Sequence, residues 1–196
     1  MLNFETLHRF KGTTLRYPKN IFFETKLRVG IVMNQDSLNV DQRADLRQRM
    51  ALMGGWTVES VINAPRQVVW ENVTQFESYS EWNPFIREAY ANFVVGEKIR
   101  FLEDLKQFGQ HWIEAKFLSI DPFASFVWKG HFGASFLFTV RHSFLFEMID
   151  EGQTRFIQVH ENSGLLIPLL AARGIYCVSH QRYLDFNEAL KKKCET

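Results

Sequence analysis

Two of the six histidines in this 196-residue chain, His142 and His160, fall where they can face each other. They lie in two runs of period-two alternation, 138–148 and 154–162, separated by a turn signal around Gly152. A two-residue loop Glu151-Gly152 needs a positive φ at Glu151, whereas the loop Asp150-Glu151-Gly152 needs one only at the glycine, so the longer loop is expected. That loop opposes Arg141 to Glu161, Glu147 to Arg155 and Leu145 to Ile157 on one face, and Phe146 to Phe156 on the other. The shorter loop would set Glu147 against Phe156 and Met148 against Arg155. With the longer one, the ion-paired face suits solvent, and the face carrying His142, Phe144, Phe146, Phe156, Gln158 and His160 must look inward.

A histidine buried beside another can be tuned near neutrality. As a general acid or base, His142 or His160 could dehydrate a bound ketone or close it in an aldol-type step, with Gln158 or Asn83 polarising the carbonyl. Inward histidines serve equally well as hydrogen-bonded structural groups. Two opposed imidazoles repel when both are charged, so the pair is expected not to be doubly protonated near neutral pH. A metal site on His142, His160 and His131 lacks HExxH, a cysteine pair or a carboxylate at ligand spacing, and no metal is expected. GxGxxG and GxxxxGK are both absent, so no nucleotide cofactor is expected either.

Other elements must carry that hairpin. Residues 56–63 alternate and are β-branched, Pro65 sits where a helix can begin, and Val69, Val73 and Phe76 make a stripe for about three helical turns. Extended segments follow at 86–93, 98–105, 111–120 and 125–130 before the hairpin, punctuated by Gly96 and Asp121-Pro122, which indicates antiparallel meander connections. After Pro168, Leu169, Ala172, Tyr176, Tyr183, Phe186 and Leu190 mark one stripe of a terminal helix that runs to Lys191-Lys192-Lys193. Those lysines suit the negative end of a helix dipole. Upstream, 27–33 reads as a strand, and a helix runs from Asn39 until Gly54-Gly55 stops it, so 1–55 forms an extension ahead of the main domain.

Composition narrows the function. Hydrophobic residues make up 46% of the chain and aromatics 15%, with 19 Phe and 5 Trp, so something large and apolar is buried or lined. Lys plus Arg number 23 against 22 Asp plus Glu, which leaves no field to attract nucleic acid or an anionic membrane. Two cysteines, Cys177 and Cys194, make no disulfide framework, and neither a signal-peptide pattern nor a membrane-length apolar run is present. A soluble, cytoplasmic protein is the expectation.

The residues resemble the START-like, or SRPBCC, superfamily and within it the polyketide cyclase/dehydrase-like group. The likeness rests on Ile62-Asn-Ala-Pro65 with Val69-Trp70, then Ser80-Glu-Trp82-Asn83-Pro84-Phe85, Trp128-Lys-Gly130, His142-Ser-Phe144 and Thr154-Arg-Phe156. It continues through Gly164-Leu-Leu-Ile-Pro168 and Asn187-Glu-Ala189-Leu190-Lys191, covering roughly 56–193. The resemblance implies an α+β helix-grip fold, a seven-stranded antiparallel sheet wrapped round the C-terminal helix, with an internal cavity for an apolar small molecule such as a lipid or polyketide. One departure is that the family often has a glutamate at the position of His160 and an aromatic at that of Asn162, so this cavity mouth is more polar.

The candidate ligand-binding residues are therefore Trp82, Asn83, Phe101, Trp128, His142, Phe144, Phe146, Phe156, Gln158, His160, Tyr176 and Tyr183, with His142 and His160 the catalytic candidates. For each phenylalanine, plain core packing competes with ligand contact. For Trp82-Asn83-Pro84 the competitor is a structural turn with Asn83 capping a backbone group. A third reading makes the extension, with Phe4, Phe10, Phe22 and Phe23, an interaction arm that docks on a partner or on a second copy, giving a homodimer in the latter case.

Overall fold

A computed structural model describes residues 54–196. The strand expected at 27–33, the helix from Asn39 and the proposed interaction arm lie outside these residues. Seven strands form one antiparallel sheet in the order β1-β7-β6-β5-β4-β3-β2. They are β1 (Gly55–Ile62), β2 (Ile86–Ala91), β3 (Lys98–Asp104), β4 (Gln110–Asp121), β5 (Ser125–His131), β6 (Thr139–Met148) and β7 (Thr154–Ser163). Between β1 and β2 run α1 (Arg66–Thr74) and the single turn α2 (Tyr79–Trp82), and after β7 come α3 (Ile167–Ala172) and α4 (Ile175–Cys194). The sheet curls round α4, whose Tyr183, Phe186 and Leu190 are buried in its concave side, as a helix-grip fold requires.

Alternation decides which side chains enter. Trp56, Val58 and Ile62 of β1, Ile99 and Phe101 of β3, Phe126 and Trp128 of β5, and Phe144 and Phe146 of β6 are all buried at period two. The β6–β7 register opposes Arg141 to Glu161, His142 to His160, Phe146 to Phe156 and Glu147 to Arg155, as the pairing argument predicts. Its outer face holds Arg141 to Glu161 at 2.9 Å and Arg155 to Glu147 at 3.6 Å. The turn reaches that register by another route than expected. Gly152 is not left-handed, and instead the Asp150 carboxylate accepts its N–H at 2.8 Å.

The terminal stripe was expected to be one helix, and it is two. Gly174 adopts φ 76°, a conformation that suits a residue without Cβ, and stops α3 before α4 begins. Leu169 and Ala172, expected on the buried stripe, are exposed, because the short α3 turns Ile167, Leu170 and Ala171 to the core instead. Gly164, at φ 126°, makes a second break, and a Cβ there would meet the Leu137 carbonyl oxygen at 2.3 Å.

Asn83 takes the turn-capping role. Its Oδ1 accepts the N–H groups of Phe85 at 2.9 Å and Ile86 at 3.0 Å, launching β2. Arg182 of α4 completes the corner by donating to the carbonyls of Pro84 and Asp104. Asn83→Ala leaves two buried N–H groups without an acceptor and should lower unfolding free energy by about 2–4 kcal/mol. Urea denaturation checks this, and a loss under about 0.5 kcal/mol contradicts the assignment.

Candidate functional site

The inner face of the β6–β7 hairpin carries a buried chain of polar groups. His160 Nδ1 lies 3.0 Å from His142 Nδ1, and His142 Nε2 lies 3.0 Å from Gln158 Oε1. Gln158 Nε2 donates to Asn187 Oδ1 of α4 at 2.6 Å, and Asn187 Nδ2 to Ser60 Oγ of β1 at 3.2 Å. With the amides so assigned, each bond fixes the next. Gln158 Oε1 can only accept, so His142 is protonated at Nε2 and its Nδ1 is an acceptor. His160 must then donate from Nδ1, which leaves its Nε2 a lone pair.

Burial is the main force on these rings. It lowers His142 from 6.5 to about 3, against a small opposing effect of the Gln158 bond. His160 is held well below its ordinary value, first by burial and next by repulsion from His142. His180, on α4, is lowered by burial to about 4. His142 is also sandwiched, with ring centroids 5.2 Å from Trp128 and 4.7 Å from Tyr183, both stacked. His160 stacks on Trp56 at 4.1 Å.

Beside this chain lies a cavity of about 290 Å³. Its apolar wall includes Leu105, Ile113, Trp128 and Val140 from the sheet side and Leu170 and Ile175 from α3 and α4. Its polar wall includes Glu103, His160, Asn162, Tyr176 and Ser179. The Glu103 side chain alternates inward with Ile99, Phe101 and Leu105 and makes no ion pair or hydrogen bond among the described residues. Burial pushes its carboxyl from 4.5 up to about 8, so it holds its proton at neutral pH. Four buried polar atoms on the wall have no partner among the described residues: Trp56 Nε1, the Tyr176 hydroxyl and both amide atoms of Asn162. Asn162 is close enough to His160 to favour its charged form slightly, but not at hydrogen-bonding geometry. Each such group left dry costs about 1–3 kcal/mol.

Of the twelve candidate residues, the structure places Trp128, His160 and Tyr176 on the cavity wall. Phe101, Phe144 and Tyr183 surround a separate void of about 10 Å³, too small for a ligand. His142, Phe146, Phe156 and Gln158 are fully buried and are not among the residues lining the cavity. Trp82 packs on Tyr79 and Phe186, and Asn83 caps the turn. Glu103, Asn162 and Trp56 were not among the candidates. The period-two rule applied to β3 would have found Glu103, an acid on a stripe with Ile99, Phe101 and Leu105. Among the described residues no group of three metal-ligating side chains exists, and no helix is long and apolar enough to cross a membrane.

The family model described as polyketide cyclase / dehydrase and lipid transport matches residues 53–172. Solved structures share the fold at low identity. The Zhui aromatase/cyclase from a Streptomyces species aligns with TM-score 0.60 at 15% identity, over 71% of this chain and 92% of that one. A START superfamily protein from Mycobacterium smegmatis gives TM-score 0.58 at 14% identity, over 71% of this chain and 95% of that one. A hypothetical protein from Helicobacter pylori, jhp0584, gives 0.60 at 13% identity, over 95% of this chain and 99% of that one. No curated protein sequence matches the chain.

Two pH limbs follow from the buried groups. An unfolded imidazole takes up its proton near pH 6.5, while His142, His160 and His180 stay neutral in the fold, so stability falls as pH drops below that value. Each contributes a slope of about 1.4 kcal/mol per pH unit. Glu103 acts oppositely: its folded pKa is raised, so its contribution is lost as pH rises from 4.5 towards about 8. Three imidazoles outweigh one carboxyl on the acid side, which puts maximum stability near pH 6.5. Urea midpoints against pH should trace this dome, and Glu103→Gln should flatten its alkaline limb. Equal stability at pH about 5 and about 7 contradicts it. NMR of the imidazole nitrogens should show opposite tautomers, Nε2–H at His142 and Nδ1–H at His160.

Proposed function

The chain belongs to the polyketide cyclase / dehydrase and lipid transport family, and from that premise we propose that it binds an apolar small molecule in the cavity between the sheet, α3 and the first turns of α4. The observation that supports this most directly is the cavity itself, about 290 Å³ and walled largely by aliphatic and aromatic side chains. That volume lies just below the range of drug-sized small-molecule sites, about 300–1,000 Å³. The ligand is accordingly a compact or single-chain molecule of lipid or polyketide-like character.

A second reading makes the cavity an active site for cyclase or dehydratase chemistry. It is favoured by His160, which lines the cavity and is backed through Nδ1 by His142. The lone pair left on His160 Nε2 is the group such a reaction would use. Burial holds this ring well below its ordinary value, where tuning near neutrality was expected, so it is a weak base. His142 supports this reading as a positioning residue, since it is packed between Trp128 and Tyr183.

Native mass spectrometry of the protein as purified from its host separates the readings. A co-purifying apolar molecule that stays unchanged on incubation supports binding, and its conversion, lost in His160→Gln, supports catalysis. Leu170→Trp should fill the cavity from α3 and weaken the binding of Nile red, a neutral apolar dye, by about tenfold or more while circular dichroism stays unchanged. Equal dye binding by Leu170→Trp and the parent protein, or no apolar molecule bound by either, sinks the proposal.

A further inference from the structure

The polar groups on the cavity wall specify more about the occupant than its greasiness does. Trp56, Asn162 and Tyr176 are 8%, 5% and 4% exposed, and each presents a polar atom without a partner among the described residues. They form one cluster: Trp56 pairs with His160 across β1 and β7, two residues before Asn162, and the Trp56 ring lies 5.8 Å from that of Tyr176. The cluster is rich in donors, with an indole N–H, an amide NH₂ and a phenol O–H against the amide oxygen and phenol oxygen as acceptors.

Charge selects further. Among the described residues no lysine or arginine lines the cavity. Its carboxyls are Glu103, which holds its proton, and Glu114, which is already paired with Lys98 at 2.7 Å. The histidines on the wall are His111, His131 and His160, and the buried one, His160, is neutral. A carboxylate brought into such a space loses its hydration and finds no cation. A carbonyl oxygen finds unused donors.

We propose that the cavity takes an uncharged ligand with an apolar body and a hydrogen-bond-accepting oxygen, a ketone being the simplest case, held by Trp56, Asn162 and Tyr176, and that it disfavours a carboxylate of the same length. This rests on the ligand-binding reading above and names the chemical class that the site accepts. The polar cluster is a specificity element, distinct from the aliphatic wall that supplies most of the affinity.

The test is competition against Nile red at neutral pH by three molecules of one chain length: methyl nonyl ketone, undecane and undecanoate. The ketone should displace the dye about fivefold better than undecane, the worth of one neutral hydrogen bond, and about tenfold or more better than undecanoate. In Tyr176→Phe and Trp56→Phe the advantage of the ketone over undecane should shrink. Tyr176→Phe should melt no lower than the parent, because its hydroxyl has no partner to lose among the described residues. Undecanoate binding as well as the ketone, the ketone binding no better than undecane, or an undiminished advantage in both variants overturns the proposal while leaving apolar binding intact. If neither the dye nor any competitor binds, the underlying reading fails and this one fails with it.

Discussion

The register of β7 on β6 is the constraint on which the rest of the structure depends. Because side chains alternate with a period of two, a one-residue slip of β7 would send Phe156, Gln158 and His160 to solvent and bring Arg155, Ile157 and Glu161 inside. The outer ion pairs and the inner aromatic pair therefore specify one alignment together. Surface pairs of this kind contribute little free energy each, on the order of 0–1 kcal/mol. Their weight lies in the penalty on the alternative, since a slipped strand would bury unpaired charges. β7 is also the partner of β1, so the alignment fixed in the hairpin is passed on and places Trp56 against His160.

That alignment forces polar groups into the interior, and the fold treats them in two ways. His142, Gln158 and Asn187 are closed into a chain in which each donor finds an acceptor, reaching from β7 through α4 to β1. A satisfied chain of this kind leaves its groups no unmet desolvation cost and ties the helix to the β1–β7–β6 edge of the sheet. At the end nearer α3 the treatment differs: Asn162, Trp56 and Tyr176 are also buried but have polar atoms without a partner among the described residues. His160 belongs to both regions, bonded to His142 on one side and lining the cavity on the other. The contrast separates a structural polar group from one available to a ligand more sharply than burial alone.

The strands, the hairpin register and the inward face were legible in the sequence because alternation and charge pairing are local signals. The α+β helix-grip architecture was legible too, through motifs such as Trp82-Asn83-Pro84 and Gly164-Leu-Leu-Ile-Pro168 taken in order. What the hairpin could not reveal is which inward groups meet empty space, since that depends on strands brought together by the curl of the sheet. Glu103 and His160 lie on β3 and β7, with three strands between them in sheet order, yet line the same cavity. The helical stripe misled for a related reason: Leu169 and Ala172 keep the right spacing, but spacing alone does not record that Gly174 takes a left-handed conformation and restarts the helix.

That restart explains where the cavity lies. From Tyr183 onward α4 fills the curled sheet with large side chains, Tyr183, Phe186 and Leu190, all within 2% exposure, and the void beside Tyr183 measures about 10 Å³. Before it, the first turns present Ile175, Tyr176 and the small Ser179, and α3 ends ahead of the break at Gly174 as a separate helix. A straight, continuous helix with another aromatic in place of Ser179 would close this space. The cavity in this chain thus comes from an interruption of secondary structure and one small side chain, and the buried phenylalanines of the described residues serve mainly to fill the remainder of the interior.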